Sequence, residues 1–272
     1  MIKSISFWSF PTGMDVTDIL KTASDLGYDA VELTLEAEGD ITAETTDEKL
    51  GEIKQTADDL GLQLPTFATG LHWAHPMIAA NGTEGTEGIE ITKTCLRFAG
   101  ILGARTVLTV PCTVSPELHY DDAYNTGLKV YRGLGPVAAE YGVNVGVENV
   151  WNKFLLSPLE FARFIDEVGH PNVVAYFDVG NVLLTGYPDQ WIKILGSRIK
   201  AIHFKDFRTE VATLGGFVDL LEGDVPWDEV MAALNAIGYD GAVTAEMMPP
   251  YTYHPEYLLE TTSKAMDAIL GR

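Results

Sequence analysis

The chain has 272 residues, 46% of them hydrophobic, and a formal charge of -21 from 39 acidic against 18 basic side chains. That length and composition suit one α/β barrel domain over residues 1–272 with a sizeable core. The acidity argues against nucleic acid and anionic membranes as partners, because both attract basic surfaces.

Two cysteines, Cys95 and Cys112, are too few for a disulfide framework and read as buried free thiols. The opening MIKSISFWSF has no long apolar leader with a cleavage site, and no run is long enough to span a bilayer. A cytoplasmic protein is the expectation, and it leaves the acceptor pattern Asn81-Gly82-Thr83 without consequence.

In chain order, residues 2 to 10 read as a strand stopped by Pro11. Val16, Ile19, Leu20, Ala23 and Leu26 then recur at helical spacing, and Gly27 closes the segment. Residues 30 to 35 form the second strand, which carries Glu32. A helical stripe from Leu50 to Leu60 and a strand over residues 62 to 67 follow. The loop from Ala68 to Glu87 contains His72, Trp73 and His75, and loops this long are often functional. A helix over 89–102, a strand over 106–110 and a helix over 120–141 come next. The fifth strand is 143–147, followed by a helix start at Ser157-Pro158 with Glu160 able to return a hydrogen bond to the cap. Strands over 173–177 and 199–204 flank a short helix near 188–195. The glycine-containing stretch from Arg208 to Val225 reads as an active-site loop. A helix over 227–237, a strand over 242–245 and a helix over 255–270 complete eight strand–helix units, the number a closed (β/α)8 TIM barrel needs. A doubly wound open sheet is the alternative architecture.

Four ligand-type side chains sit at the ends of late strands. They are Glu148 in GVENVW, Asp178 in AYFDVGN, His203 in AIHFKD and Glu246 in AVTAEM. In a barrel they converge on one mouth. Three crowded carboxylates repel one another, and a cation resolves that repulsion. Two Glu, one Asp and one neutral His suit a divalent metal, with Mn²⁺ the first expectation and Mg²⁺, Co²⁺ or Zn²⁺ alternatives. The chemistry needs no organic cofactor: a metal polarises a carbonyl and its neighbouring hydroxyl, and a carboxylate moves the proton. Singly, each residue has a plainer reading, as a solvent-facing strand end, a turn former, a hydrogen-bonded core histidine or a helix cap.

From Gly146 to Met247 above all, and over most of its length, the chain resembles the xylose-isomerase-like barrel superfamily of sugar isomerases and epimerases. Its nearest character is that of the ketose 3-epimerase and ketose-phosphate epimerase or isomerase branch. The resemblance implies that Glu148, Asp178, His203 and Glu246 bind the metal, and that Glu148 and Glu246 exchange the proton. The Asp178-Val-Gly-Asn and His203-Phe-Lys-Asp segments look like those of sugar-phosphate members, and Glu222-Gly223 with Trp227 matches a family segment. Free-ketose epimerases carry a Glu where this chain has Phe154 and a His where it has Asn181. Both departures point toward a phosphorylated sugar or another polyol derivative, with Lys205, Arg208 and Lys153 as phosphate donors.

Trp8, His72, Trp73, Trp151 and Asn181 are the further candidates for lining the pocket, each with packing or a surface loop as its plainer role. Lys205 could instead pair with Asp206, and Glu32 could hydrogen-bond near the mouth or only support its strand. The function expected is a metal-dependent sugar or sugar-phosphate epimerase working through an enediolate. Alternatives are an aldose–ketose isomerase, a polyol dehydratase and a non-catalytic sugar-binding barrel. A small-molecule partner, no nucleic acid, no membrane and a homo-oligomer of the kind common in such relatives complete the expectation.

Overall fold

Strand side chains alternate in direction, so a strand wrapped by helices buries both of its faces. The strand Ala30–Leu35 is buried at every position, as such a layer requires. The computed structural model describes residues 1–248 and 253–272. Its barrel strands are β1 (Ile2–Ser6), β2 (Ala30–Leu35), β3 (Thr66–Thr69), β4 (Thr106–Thr109), β5 (Asn144–Glu148), β6 (Val173–Asp178), β7 (Ile199–Phe204) and β10 (Ala242–Ala245). They pair in parallel and close in the order β1-β10-β7-β6-β5-β4-β3-β2. A short antiparallel hairpin, β8 (Asp206–Phe207) and β9 (Phe217–Val218), stands between β7 and β10. The outer layer is α1 (Val16–Asp25), α2 (Asp47–Asp59), α3 (Thr86–Leu102), α4 (Tyr120–Glu140), α5 (Pro158–Val168), α6 (Pro188–Leu195), α7 (Trp227–Ala236) and α8 (Glu256–Leu270). The closed barrel replaces the open-sheet alternative.

The main apolar core lies between strands and helices, with Val31, Leu33, Leu35, Phe67, Val145, Phe177 and Ile202 among its strand residues. A smaller cluster of Ala68, Leu108, Val110, Tyr176 and Ala201 packs separately from it. Close packing near Tyr176 needs Gly146, where a Cβ would lie 3.1 Å from Tyr176 Cβ and 3.0 Å from Thr106 Cγ2. At Lys200 the pairing of β6 with β7 slips by one residue, from Ala175↔Ile199 to Tyr176↔Ala201. Strict alternation would place His203 on the same face as Ile199. The slip separates them, since a one-residue shift exchanges the two faces of a strand.

Several boundaries move for local reasons. The first strand stops at Ser6, whose hydroxyl accepts the Trp8 N–H and starts a short 3-10 turn. The third begins at Thr66 rather than Leu62, because Pro65 has no N–H to give a ladder. Ser157 caps α5 by accepting from Glu160 N, with Pro158 as the first helical residue. The Glu160 carboxylate accepts instead from Leu156 N at 3.1 Å and from the Tyr120 hydroxyl at 2.6 Å. The long loop after β3 is packed rather than open. Met77 and Ile78 are buried in it, and it lies so close to the start of α3 that a Cβ on Gly85 would fall 2.0 Å from Pro76 O. Both cysteines are buried free thiols.

The stretch expected to be an active-site loop, 208 to 225, is organised by Asp206. Its buried carboxylate accepts from Phe207 N (2.9 Å), Leu221 N (2.9 Å), Val225 N (3.1 Å) and Trp227 Nε1 (3.1 Å). Gly223 passes so close that a Cβ there would sit 2.1 Å from Asp206 Oδ1. This explains the Glu222-Gly223 and Trp227 pattern in physical terms. Gly223→Ala is expected to lower unfolding free energy by about 1–3 kcal/mol through forced displacement of this loop. Urea denaturation measures it, and an unchanged midpoint would show that the loop is not held this way.

Candidate metal centre and active site

β5, β6, β7 and β10 bring Glu148, Asp178, His203 and Glu246 together at one end of the barrel. One donor atom from each lies within 4.8 Å of every other. His203 Nδ1 is 2.7 Å from Glu246 Oε2, 3.4 Å from Glu148 Oε1 and 4.0 Å from Asp178 Oδ2. These same four atoms are buried and lack a well-formed hydrogen bond to the protein. Lys205 Nζ approaches Glu246 Oε2 at 2.8 Å and Asp178 Oδ2 at 3.2 Å, as ion contacts without hydrogen-bond geometry. Buried polar atoms are costly unless paired, so four converging ones fit a bound cation. The oxygen-rich set with one imidazole suits a divalent ion.

The other end of each ligand is fixed. His203 Nε2 meets Glu32 Oε1 at 2.9 Å and the Tyr176 hydroxyl at 3.0 Å, and Tyr176 makes a short hydrogen bond to Glu32 Oε2. With Nε2–H directed at Glu32, Nδ1 is the nitrogen that faces the carboxylates. Asp178 Oδ1 accepts the Asn181 N–H at 2.7 Å, which leaves Oδ2 to the cluster. Asn149 ties the ends of β5 and β6 together, donating to Asp178 O and accepting from Asp178 N, both at 2.8 Å. Gly180 lets the chain pass Lys205, where a Cβ would lie 2.7 Å from Lys205 Cβ.

Electrostatics follow the same layout. Burial raises Glu148 to about 7, with His203 and Lys205 pulling the other way, and burial likewise raises Asp178. Burial also opposes ionisation of Glu246, but Lys205 and His203 outweigh it and bring the carboxyl to about 2. Burial works against a charge on His203, yet Glu32 and Glu246 raise it well above the usual imidazole value. Glu32, fully buried, is pushed up by burial and held below the usual range by His203 and Tyr176. Without a cation, burial therefore favours the protonated form of Glu148, and the neighbouring carboxylates favour that of His203.

The substrate-lining candidates divide. The Trp8 indole packs on the cluster of Ala68, Leu108, Val110, Tyr176 and Ala201, and its N–H donates to Glu36 Oε1 at 3.1 Å. Trp151 packs against Phe207 and Phe217 at ring-centroid distances of 5.3 and 5.2 Å, and donates to Asn181 O. Lys205 lies against the metal donors and over the Phe217 ring, not against Asp206. Asn181 is largely buried, and its side-chain amide donates to Asn149 O at 3.0 Å. His72 is held by its own neighbours. It is buried, with Nε2 2.9 Å from Thr92 Oγ1 and Nδ1 accepting from Val110 N at 3.5 Å, and burial lowers it to about 4. Arg208 donates to Glu222 O and Glu222 Oε2 on the exposed hairpin. Phe154 packs among Tyr120, Tyr124 and Phe164, and Trp73 is exposed. A cavity of about 840 Å³ lies among Lys54, Arg105, Lys200 and Asp240 and contains none of the four donors. Donor convergence, rather than volume, marks the chemical centre.

Tyr176 and Asn149 are absent from the sequence reading, although period two from Asp178 points to Tyr176 as a residue sharing its face. Glu32 acquires a definite role as the partner of His203. Glu32→Gln is expected to weaken divalent-metal binding by about 10–100-fold, read by calorimetry with Mn²⁺. An unchanged affinity would mean that Glu32 does not set the ring. Metal binding should also release the protons held by His203 and Glu148, so affinity should rise from pH 6 to pH 8, by up to about tenfold per pH unit for each proton displaced. A pH-independent dissociation constant over that interval would contradict the donor assignment.

Comparison with known proteins agrees with this geometry. The family model for the xylose isomerase-like TIM barrel matches residues 20–269. The D-psicose 3-epimerase of Enterocloster bolteae is 27% identical over 253 residues, covering 89% of this chain and 79% of that protein. The L-ribulose-5-phosphate 3-epimerase UlaE of Escherichia coli O157:H7 is 23% identical over 279 residues, covering 97% and 92%. The crystal structure of the IOLI protein with a bound zinc atom superposes with a TM-score of 0.81 at 18% identity, covering 100% of this chain and 98% of that one. The chain belongs to the xylose isomerase-like TIM barrel family and is an isomerase-class enzyme.

Proposed function

We propose that the protein is a divalent-metal-dependent sugar epimerase of the ketose 3-epimerase type. The observation that carries this reading is the placement of Glu148 and Glu246. Both contribute an oxygen to the donor cluster, from β5 and β10, with β6 and β7 between them. Their side chains keep 6% and 14% exposure, whereas Asp178 and His203 have none. Two ligands are thus sealed in the wall, and two carboxylates reach a sugar from separate sides. The two relatives are named as 3-epimerases of a ketose and of a ketose phosphate, which supports the same reading.

Glu148, Asp178, His203 and Glu246 would hold the metal. A divalent ion supplies polarisation of the ketose carbonyl and its neighbouring hydroxyl. One glutamate takes the proton from the carbon beside the carbonyl, and the electron pair moves into an enediolate. The other glutamate, protonated, returns a proton to the opposite face of that carbon, which inverts it. Trp8 and Trp151 give apolar surface for the C–H edges of the sugar and exclude water. Lys205 balances the negative charge beside Asp178 and Glu246.

Glu148→Gln and Glu246→Gln keep an oxygen donor but remove the base. Each is expected to lower kcat by about 10²–10⁴-fold. In deuterated water the wild type should place label at the inverted carbon of a ketose. Near-wild-type turnover in either variant would remove that residue from proton transfer. An aldose product would replace epimerisation by aldose–ketose isomerisation.

A further inference from the structure

A closed parallel barrel usually fills its axis with bulky branched side chains such as Val, Ile and Leu. One side of this axis is built differently. Ile5 and Val243 join the outer core, so alternation turns Ser4 and Thr244 inward. On β2 and β3 the outward residues are Val31, Leu33, Leu35 and Phe67, which leaves Glu32, Thr34 and Thr66 facing the axis. Leu108, Val110 and Tyr176 supply apolar bulk from β4 and β6. The four adjacent strands β10, β1, β2 and β3 supply hydroxyls instead.

Ser4 Oγ, Thr34 Oγ1, Thr66 Oγ1 and Thr244 Oγ1 are buried, and among the described residues none has a hydrogen-bond partner. Their residues are at most 2% exposed. The strand registers place them around the support of the metal-binding imidazole. Ser4 pairs with Thr244, and Thr244 with His203. Leu33 pairs with Phe67, which puts Glu32 opposite Thr66. The Thr66 hydroxyl bears on Glu32 and Tyr176 without well-formed hydrogen-bond geometry. Thr34 borders the hollow beside Trp8 and belongs to the active-site mouth.

A buried hydroxyl without a partner is costly, and so is an under-bonded buried carboxylate. An ionised carboxylate has about four acceptor sites. Fully buried Glu32 meets His203 Nε2 through Oε1 and the Tyr176 hydroxyl through Oε2. Water both donates and accepts, so one ordered molecule can serve the hydroxyls and the carboxylate together. A route inward exists at the opposite end of the barrel. The cavity of about 840 Å³ is bordered by Ile2, Thr66, Thr106 and Ala242, the first residues of their strands. On β1 and β10 the next inward residues are Ser4 and Thr244.

We infer that the barrel encloses ordered water beneath the metal centre, bound by Ser4, Thr66 and Thr244 and supplied from the mouth opposite the active site. This water donates to Glu32 and so reinforces the carboxylate that orients His203. The inference rests on barrel closure and buried hydroxyls, and it stands apart from the epimerase reading.

The test is atomic-resolution diffraction from crystals of the Mn²⁺-loaded full-length protein. One or more waters are expected at about 2.7–3.2 Å from Thr66 Oγ1 or Thr244 Oγ1, with a bridge to Glu32. An axis without water density there overturns the inference. Thr66→Val and Thr244→Val keep the side-chain shape and remove the hydroxyl. A hydroxyl that bonds water gives a lower urea midpoint on substitution, whereas a dry one gives an unchanged or higher midpoint and contradicts the assignment. Calorimetry with Mn²⁺ reads the support of Glu32: affinity should fall in Thr66→Val, by less than in Glu32→Gln, and return in Thr66→Ser. Unchanged affinity in Thr66→Val overturns that role. If either valine variant fails to fold, the wild-type density decides.

Discussion

The orientation of one imidazole decides whether the mouth of this barrel is a metal site. His203 has two ring nitrogens and the fold gives them opposite duties. Glu32 and Tyr176 hold Nε2 from inside the barrel, so Nδ1 points at Glu148, Asp178 and Glu246. A fully buried carboxylate such as Glu32 is costly alone and is sustained by these two partners. The arrangement depends on strand closure, since Glu32 lies on β2 and His203 on β7, 171 residues apart. The slip at Lys200 keeps Ile199 and Ile202 in the outer core while Ala201 joins the inner cluster with Tyr176.

The same pleat separates two neighbours with opposite charges. Lys205 turns to the metal donors and Asp206 to the loop that follows, so the pair that looks like an ion pair in sequence is not one in space. Lys205 moderates repulsion among carboxylates, and Asp206 collects the amides of the segment that carries Phe217. Phe217 in turn supports both Trp151 and Lys205. Glu36, Glu38 and Asp40 add a polar rim beside Trp8. The relation between fold and activity runs through that rim and the four donors, because the barrel alone hosts many chemistries.

Much of this was legible in the sequence. Eight strand–helix units stand out because their apolar periods are long and separated by glycine, proline and capping residues. Glu148, Asp178, His203 and Glu246 stand out because each polar side chain ends an otherwise apolar run. The contacts of Glu32, Tyr176 and Asn149 were not legible, since they are set by closure and register between distant strands. His72 looked available because loops are usually exposed, yet its loop packs Met77 and Ile78 into the core and carries the ring down with it. Asn181 follows Asp178 in a turn-like motif, and its use as a bracket to Asn149 depends on how β5 and β6 pair. The segment Pro249 to Thr252 lies outside the described residues, and the final helix begins at Glu256, one residue after the start read from the sequence.

The central claim is that four side chains form one divalent-metal centre with His203 binding through Nδ1. Anomalous diffraction from crystals of the Mn²⁺-loaded protein tests it most directly. One manganese peak per chain is predicted, at about 2.0–2.4 Å from Glu148 Oε1, Asp178 Oδ2, His203 Nδ1 and Glu246 Oε2. A peak on His203 Nε2, a peak away from these four residues, or no peak at saturating Mn²⁺ would contradict the account.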